Sequence, residues 1–147
     1  MKKLTPSARR HVDATSDLAR LLGTMEPVLN PGTFVFASLA EGAPFDPTHI
    51  IASIREPEGL SVVISEELAK QSALPILFRC AWITLTVNSN LQAVGLTAAL
   101  SKALGDAGIS CNVVAGANHD HVFVPIEAAQ KAMDRLRSLQ ASASDFV

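Results

Sequence analysis

An α+β fold is predicted for this sequence, and three observations predict it. Short β-branched and aromatic runs such as "TFVFASL", "LSVVIS", "CAWITLTV" and "HVFVP" have the length and composition of strands. Two segments, one near each end, repeat apolar residues at three- and four-residue spacing, the period of an amphipathic helix. From Phe78 onward the order reads strand, helix, strand, strand, helix. That βαββα order is a ferredoxin-like split βαβ unit lacking its fourth strand, which must then come from the first half of the chain.

Taken in order, the first fifteen residues are polar and proline-interrupted and are expected to form a loosely held tail. Leu18, Leu21, Leu22 and Met25 make one helical stripe after Ser16-Asp17, a plausible N-cap, and Pro27 is expected to end that helix. "LNPGTFVFASL" places a Pro-Gly turn ahead of a strand. "HIIASI" and "LSVVIS" are two further strands joined by "REPEG", and "EELAKQ" is a short helix.

In the second half "CAWITLTV" reads as a buried strand. "LQAVGLTAALSKALGDAG" reads as a helix that opens after Ser89-Asn90 and stops at Gly108. "ISCNVVAG" and "HVFVP" follow as strands around a tight turn at Gly116 to Asn118. Pro125 is expected to start a last helix with Ile126, Ala129, Ala132, Met133, Leu136 and Leu139 inward, followed by the short polar end "ASASDFV".

Charge narrows the partners. A net charge of -2 and a pI of about 6.0, with no basic stripe, argue against nucleic acid. The amino terminus lacks the apolar run of a secretory signal, so a cytoplasmic protein is expected. Cys80 to Ser101, twenty-two residues without a charge, is as long as the ~20 residues that span a bilayer. The polar break "NSNLQ" in its middle fits strand, turn and helix instead, and no membrane partner is expected.

The run "ITLTVNSNLQAVGLTAALSKALGDAGISCNVVAGANHDHVFVP" resembles the second module of a small bacterial family of tandem ACT-domain proteins, and "ASIREPEGLSVVI" resembles the first. The resemblance extends from about Leu18 to Leu136. The layout is also similar to that of amino-acid sensors and the regulatory ends of aspartate kinases. It implies two ferredoxin-like ACT-type modules sharing strands, 16–77 and 78–147 after the tail 1–15. ACT modules bind small molecules, most often amino acids, and report them to a partner without catalysing. The loop after the first strand of a module is where they hold ligand, at a contact between modules.

In this chain that loop is Asn88, Ser89, Asn90, Leu91, Gln92, Ala93, Val94 and Gly95. Read from the residues alone, a helix opening after Ser89-Asn90 brings unpaired N–H groups and the positive dipole end to the mouth of a strand, which suits a carboxylate. Gly95 in its first turn costs roughly 1 kcal/mol of helix propensity but lets a ligand approach closely. Replacing it by a bulky residue is therefore expected to abolish binding while the fold stays intact. Any βα connection needs such a cap for structure alone. Arg55, in "REPEGL" with Glu56 and Glu58, is the other candidate, against the simpler reading of a solvated hairpin turn.

His119-Asp120-His121 offers a rival reading, a metal site or enzyme. On an extended segment His119 and His121 point to one face and Asp120 to the other. Two ligands converge where a catalytic zinc needs three. His11 and His49 lie elsewhere, no HExxH or CxxC spacing exists, and no metal or cofactor is expected. Cys80 and Cys111 fall on strands separated by a third. At ~9 to 10 Å they exceed the ~7 Å reach of a disulfide, so both are expected to be reduced, buried and inert. No Gly-x-Ser-x-Gly elbow is present.

The expectation is a non-catalytic regulatory protein that binds a small molecule, an amino acid above all. An interaction module without ligand is the blander alternative. The strand "ISCNVVAG", apolar on both faces through Ile109, Cys111 and Val113 on one and Val114 on the other, is expected at a sheet edge that pairs with the first half or a second chain. A homodimer is the expected assembly.

Overall fold

In a computed structural model, which describes residues 14–87 and 91–145, helix α1 (Ala14–Thr24) leads to strands β1 (Pro27–Leu29) and β2 (Phe34–Leu39). After a connection containing one 3-10 turn (Pro47–His49) come the hairpin β3 (Ala52–Glu56) and β4 (Gly59–Ser65), helix α2 (Glu66–Gln71) and strand β5 (Phe78–Leu85). Helix α3 (Leu96–Asp106), strands β6 (Asn112–Ala115) and β7 (Asp120–Pro125), and helix α4 (Ala129–Ser144) complete the chain. Residues 1–13, the greater part of the expected tail, lie outside the described residues, as do Asn88, Ser89 and Asn90.

Among the described residues all strands join one seven-stranded sheet in the order β3-β4-β2-β5-β7-β6, with β1 also on β5. β1 and β2 lie end to end along the same side of β5: Leu29 is opposite Ile83 and Phe34 is opposite Cys80. Gly32, at φ +108, turns the chain between them. The set β3-β4-β2-β5 has ferredoxin-like order, and so has β1-β5-β7-β6. Strand β5 therefore ends one unit and begins the next. The fourth strand of the second unit is β1, from the first half of the chain.

Among the described residues helices cover one face only. Ala81, Ile83, Leu85, Val122 and Val124 pack beneath the apolar stripes of α1, α3 and α4, including Leu22, Leu100, Leu104 and Leu136. Val35, Ala37, Leu39, Val62 and Ile64 pack with Ala69 of α2. The opposite face carries Phe34, Val63, Cys80 and Phe123, with Trp82, Phe36 and Phe78 around them. Phe34 meets Trp82 edge-on at 5.3 Å, and Phe36 meets Phe123 edge-on at 5.5 Å. These T-shaped pairs use the ring quadrupole and add about 0.5–1.5 kcal/mol each beyond burial.

Local signals explain the element ends. Ser65 caps α2, its Oγ accepting from Leu68 N–H at 3.2 Å. The Schellman-like end of α3 places Gly108 at φ +72, with Ile109 N–H on Leu104 C=O at 2.9 Å. Lys131 reaches across from α4 to the free carbonyl of Ala107 at 2.8 Å.

Several expectations need correction. Pro27 does not merely stop a helix: α1 ends at Thr24 and Pro27 opens β1, where a proline at the first strand position forgoes no required N–H. α1 begins at Ala14, ahead of the proposed cap at Ser16-Asp17. The last helix starts at Ala129, after a 3-10 turn, and takes in most of "ASASDFV" because buried Ala143 continues its inward stripe. Cys111 falls just before β6 and is half-buried, whereas Cys80 is fully buried. β7 does lie between their strands, and both thiols are free. Burial pushes the Cys80 thiol up to about 12, so it stays protonated and unreactive.

Candidate ligand-binding site

The connection 40–51 occupies, in the first unit, the place that α3 occupies in the second. It is built from "AEGAPFDPTHII", whose glycine and prolines break any helical run. Asp46 fixes its 3-10 turn, the carboxylate accepting from Thr48 N–H at 2.9 Å and from the Thr48 hydroxyl at 2.7 Å. Those bonds hold the Asp46 carboxyl below its ordinary range. Phe45 and Ile50 then fold inward onto the core of the first unit.

Between this connection and the β3–β4 hairpin lies a cavity of about 610 Å³, within the ~300–1,000 Å³ usual for small-molecule sites. Leu39, Phe45, Ile50 and Leu60 supply its apolar wall. Arg55, Glu41, Glu56 and Glu58 are also among its lining residues, with the Glu56 side chain following Ile54 and Ser61 onto the face of the hairpin opposite Arg55. Arg55 is opposite Leu60 in the hairpin, so its side chain emerges on the face covered by the connection. Among the described residues it has no hydrogen-bonded or ionic partner. Glu56 accepts from the Ser61 hydroxyl. Gly59, at φ +144, is the one residue that fits here, because a Cβ would lie 2.4 Å from the carbonyl oxygen of Leu39.

Of the residues singled out from the sequence, Arg55 lies in this cavity, and Leu91 to Gly95 do not line it. Asn88, Ser89 and Asn90 fall outside the described residues. The helix that was to open after Ser89-Asn90 begins instead at Leu96, with Gly95 as its N-cap at φ +100. Leu91, Gln92, Ala93 and Val94 form an exposed approach to it. The unpaired N–H groups expected just after Ser89-Asn90 therefore start at Leu96. Gly95 is favoured by its left-handed backbone, and an added Cβ would also press on the end of the Leu18 side chain, 2.9 Å from Cδ2.

His119, Asp120 and His121 divide as alternation requires. Asp120 is opposite Leu85 on the helix-covered face and is buried, while His121 is opposite Thr84 on the other face. His121 Nδ1 accepts from the Trp82 indole N–H at 3.0 Å. His119 Nδ1 is buried without a partner. Among the described residues no group of three or more His, Cys, Asp or Glu side chains is placed to hold a metal.

The lining of the cavity by the connection 40–51 was not read from the sequence. The available signal was its length: a glycine- and proline-broken run between two strands, where ordinary connections are shorter.

Two ferredoxin-like units joined through a shared strand, with the described helices on one face, define a tandem ferredoxin-like architecture. Residues 14–81 and 77–138 each match the ACT domain, and the chain belongs to the ACT-domain family as a tandem pair. The two matches overlap at the start of β5, the strand common to both units. The chain is similar to a Vibrio cholerae protein of unknown function, described as a possible transport protein, at 43% identity over 87% of this chain and 99% of that one, with a TM-score of 0.77. It is similar in fold to an Agrobacterium tumefaciens protein, at 17% identity over 79% and 89% and a TM-score of 0.61. Escherichia coli aspartokinase III, solved with aspartate and ADP, shares the fold at 10% identity over 77% of this chain and 32% of that one, TM-score 0.56. No curated protein matches the chain. ACT domains are regulatory, ligand-binding modules. Among the described residues no helix is long and apolar enough to cross a membrane.

Proposed function

We propose that this protein is a non-catalytic sensor that binds a free amino acid in the cavity under Arg55 and passes the signal to a partner. The observation that carries this reading is the charge pattern of the cavity. An unpaired guanidinium stands with Glu41 and Glu58 beside an apolar wall. Arg55 suits the ligand's carboxylate by bidentate hydrogen bonding, Glu41 or Glu58 its ammonium, and Phe45, Ile50 and Leu60 an apolar side chain. The segment Asn88 to Gly95 is proposed as a separate ligand-binding segment of the second unit. The modules 16–77 and 78–147 meet at the start of β5 in this reading, and the protein acts in the cytoplasm as a homodimer.

A thermal-shift screen with the twenty amino acids tests this. A ligand at a hundred times its dissociation constant adds about 2.7 kcal/mol to native stability. At least one amino acid is expected to raise Tm in the wild type and to lose that effect in Arg55→Ala. A rise that survives in Arg55→Ala places the ligand elsewhere.

A further inference from the structure

The outer strands of the sheet, β3 and β6, are far apart in strand order, yet both border one cleft. Residues 51–53 form one wall and residues 114–116 the other, with Trp82, His121 and Phe123 between them, in a space of about 260 Å³. The helix-free face of the sheet is thus curled until its two edges face each other. This cleft shares no residue with the cavity under Arg55, which opens on the other face of β3.

His121 is held in one state by a directed chain of hydrogen bonds. The Asn30 amide donates to Thr84 Oγ1 at 2.9 Å, and Thr84 Oγ1 lies 3.2 Å from His121 Nδ1, the atom that also accepts from Trp82 at 3.0 Å. An indole N–H only donates, so Nδ1 carries no proton and the neutral ring keeps its hydrogen on Nε2. Burial favours the same neutral form, with His119 adding to it and Asp120 opposing it. Nε2 has no protein acceptor among the described residues. Gly116 stands beside it, where a Cβ would lie 3.3 Å from Nε2 and 2.8 Å from the carbonyl oxygen of His119. His121 Nε2–H is therefore a donor without a described protein acceptor in a cleft whose apolar lining is Ile51, Trp82, Val114 and Phe123 and whose polar lining includes Ser53.

We propose that this cleft is a second small-molecule site, taking a flat, uncharged ring that bears a carbonyl or amide oxygen. The oxygen accepts from His121 Nε2–H, and the ring packs against Trp82 and Phe123. Size agrees, since an apolar cavity of about 150 Å³ takes up benzene and this one adds room for one small polar substituent. Charge is disfavoured: a carboxylate draws a second proton onto the imidazole, which would then turn an N–H toward the indole N–H.

Trp82 is the sole tryptophan of the sequence, so its emission reports on this cleft alone. Titration of the intact protein with benzamide is expected to change that emission saturably. Toluene, with the ring but no acceptor, and benzoate, with a charge, are each expected to bind at least tenfold more weakly. His121→Phe should remove the advantage of benzamide over toluene, and Val114→Phe, which narrows the cleft from an edge strand, should weaken both. Arg55→Ala should change neither, which separates this site from the amino-acid reading. The proposal is overturned by an unsaturable response, by benzoate binding as tightly as benzamide, or by a benzamide preference that persists in His121→Phe or is untouched by Val114→Phe.

Discussion

Gly95 and Leu18 meet where the start of α3 crosses α1: a Cβ added to Gly95 would stand 2.9 Å from Leu18 Cδ2, at a backbone φ of +100. The first half of the chain is thereby seated on the second, and a bulky residue at 95, expected from the sequence to leave the fold intact, has to meet both Leu18 and a left-handed backbone. Gly95→Ala is expected to cost about 1–3 kcal/mol through its left-handed backbone and the crowding. In urea denaturation, Leu18→Ala introduced into Gly95→Ala should cost less than in the wild type, because it removes the clash. Equal costs would mean that the contact carries no strain.

A fragment from Phe78 to Val147 keeps β5, β6 and β7 but loses β1 from the outer side of β5 and α1 from the face of α4. Leu22 and Met25, both buried, vanish with it, at about 2–5 kcal/mol for each large aliphatic side chain removed. Expressed alone, it should be insoluble or lack a cooperative melt. A soluble fragment with a sharp transition contradicts the dependence on β1 and α1.

That interdependence explains what the sequence reveals and what it hides. β4, β5 and β7 were readable because their β-branched and aromatic runs need no distant information, and the stripe Ala132, Met133 and Leu136 announced α4. The start of α3 was not, because residues 91–94 carry nothing incompatible with helix. What delays the helix to Leu96 involves Gly95's backbone and a leucine from the other end of the chain. Arg55 stood out by its charge in a turn. The hydrogen bond from Trp82 to His121 spans 39 positions, and alternation could place His121 on a face without saying what it meets there.

Stability should depend on pH through His121. Its folded pKa is lowered, mainly by burial, so the unfolded chain binds the proton more readily. The contribution is full above the ordinary histidine value of about 6.5 and is lost as pH falls through the folded value. Denaturation at pH 7.5 and pH 5.5 should show the wild type losing stability at the lower pH, and His121→Phe losing less. Asp46 and Glu66, also lowered, act below the carboxylate range and leave this window clear. An identical loss in both proteins would remove His121 from the account.

The edge strand β6 directs Val113 to the helix-covered core and Val114 to the aromatic face, so both of its faces are apolar. Such an edge favours pairing with a second chain. Light scattering on the intact protein is expected to give twice the chain mass. A mass of one chain at high micromolar concentration would argue for a monomer.

An amino acid is expected to bind between the connection 40–51 and the hairpin that carries Arg55. Backbone amide chemical-shift mapping tests it most directly, by titrating the labelled intact protein with each of the twenty amino acids. The account predicts that at least one produces saturable shifts centred on Glu41, Ala43, Arg55, Gly59 and Leu60. Twenty titrations without a saturable shift, or shifts confined to residues away from this cavity, would contradict it.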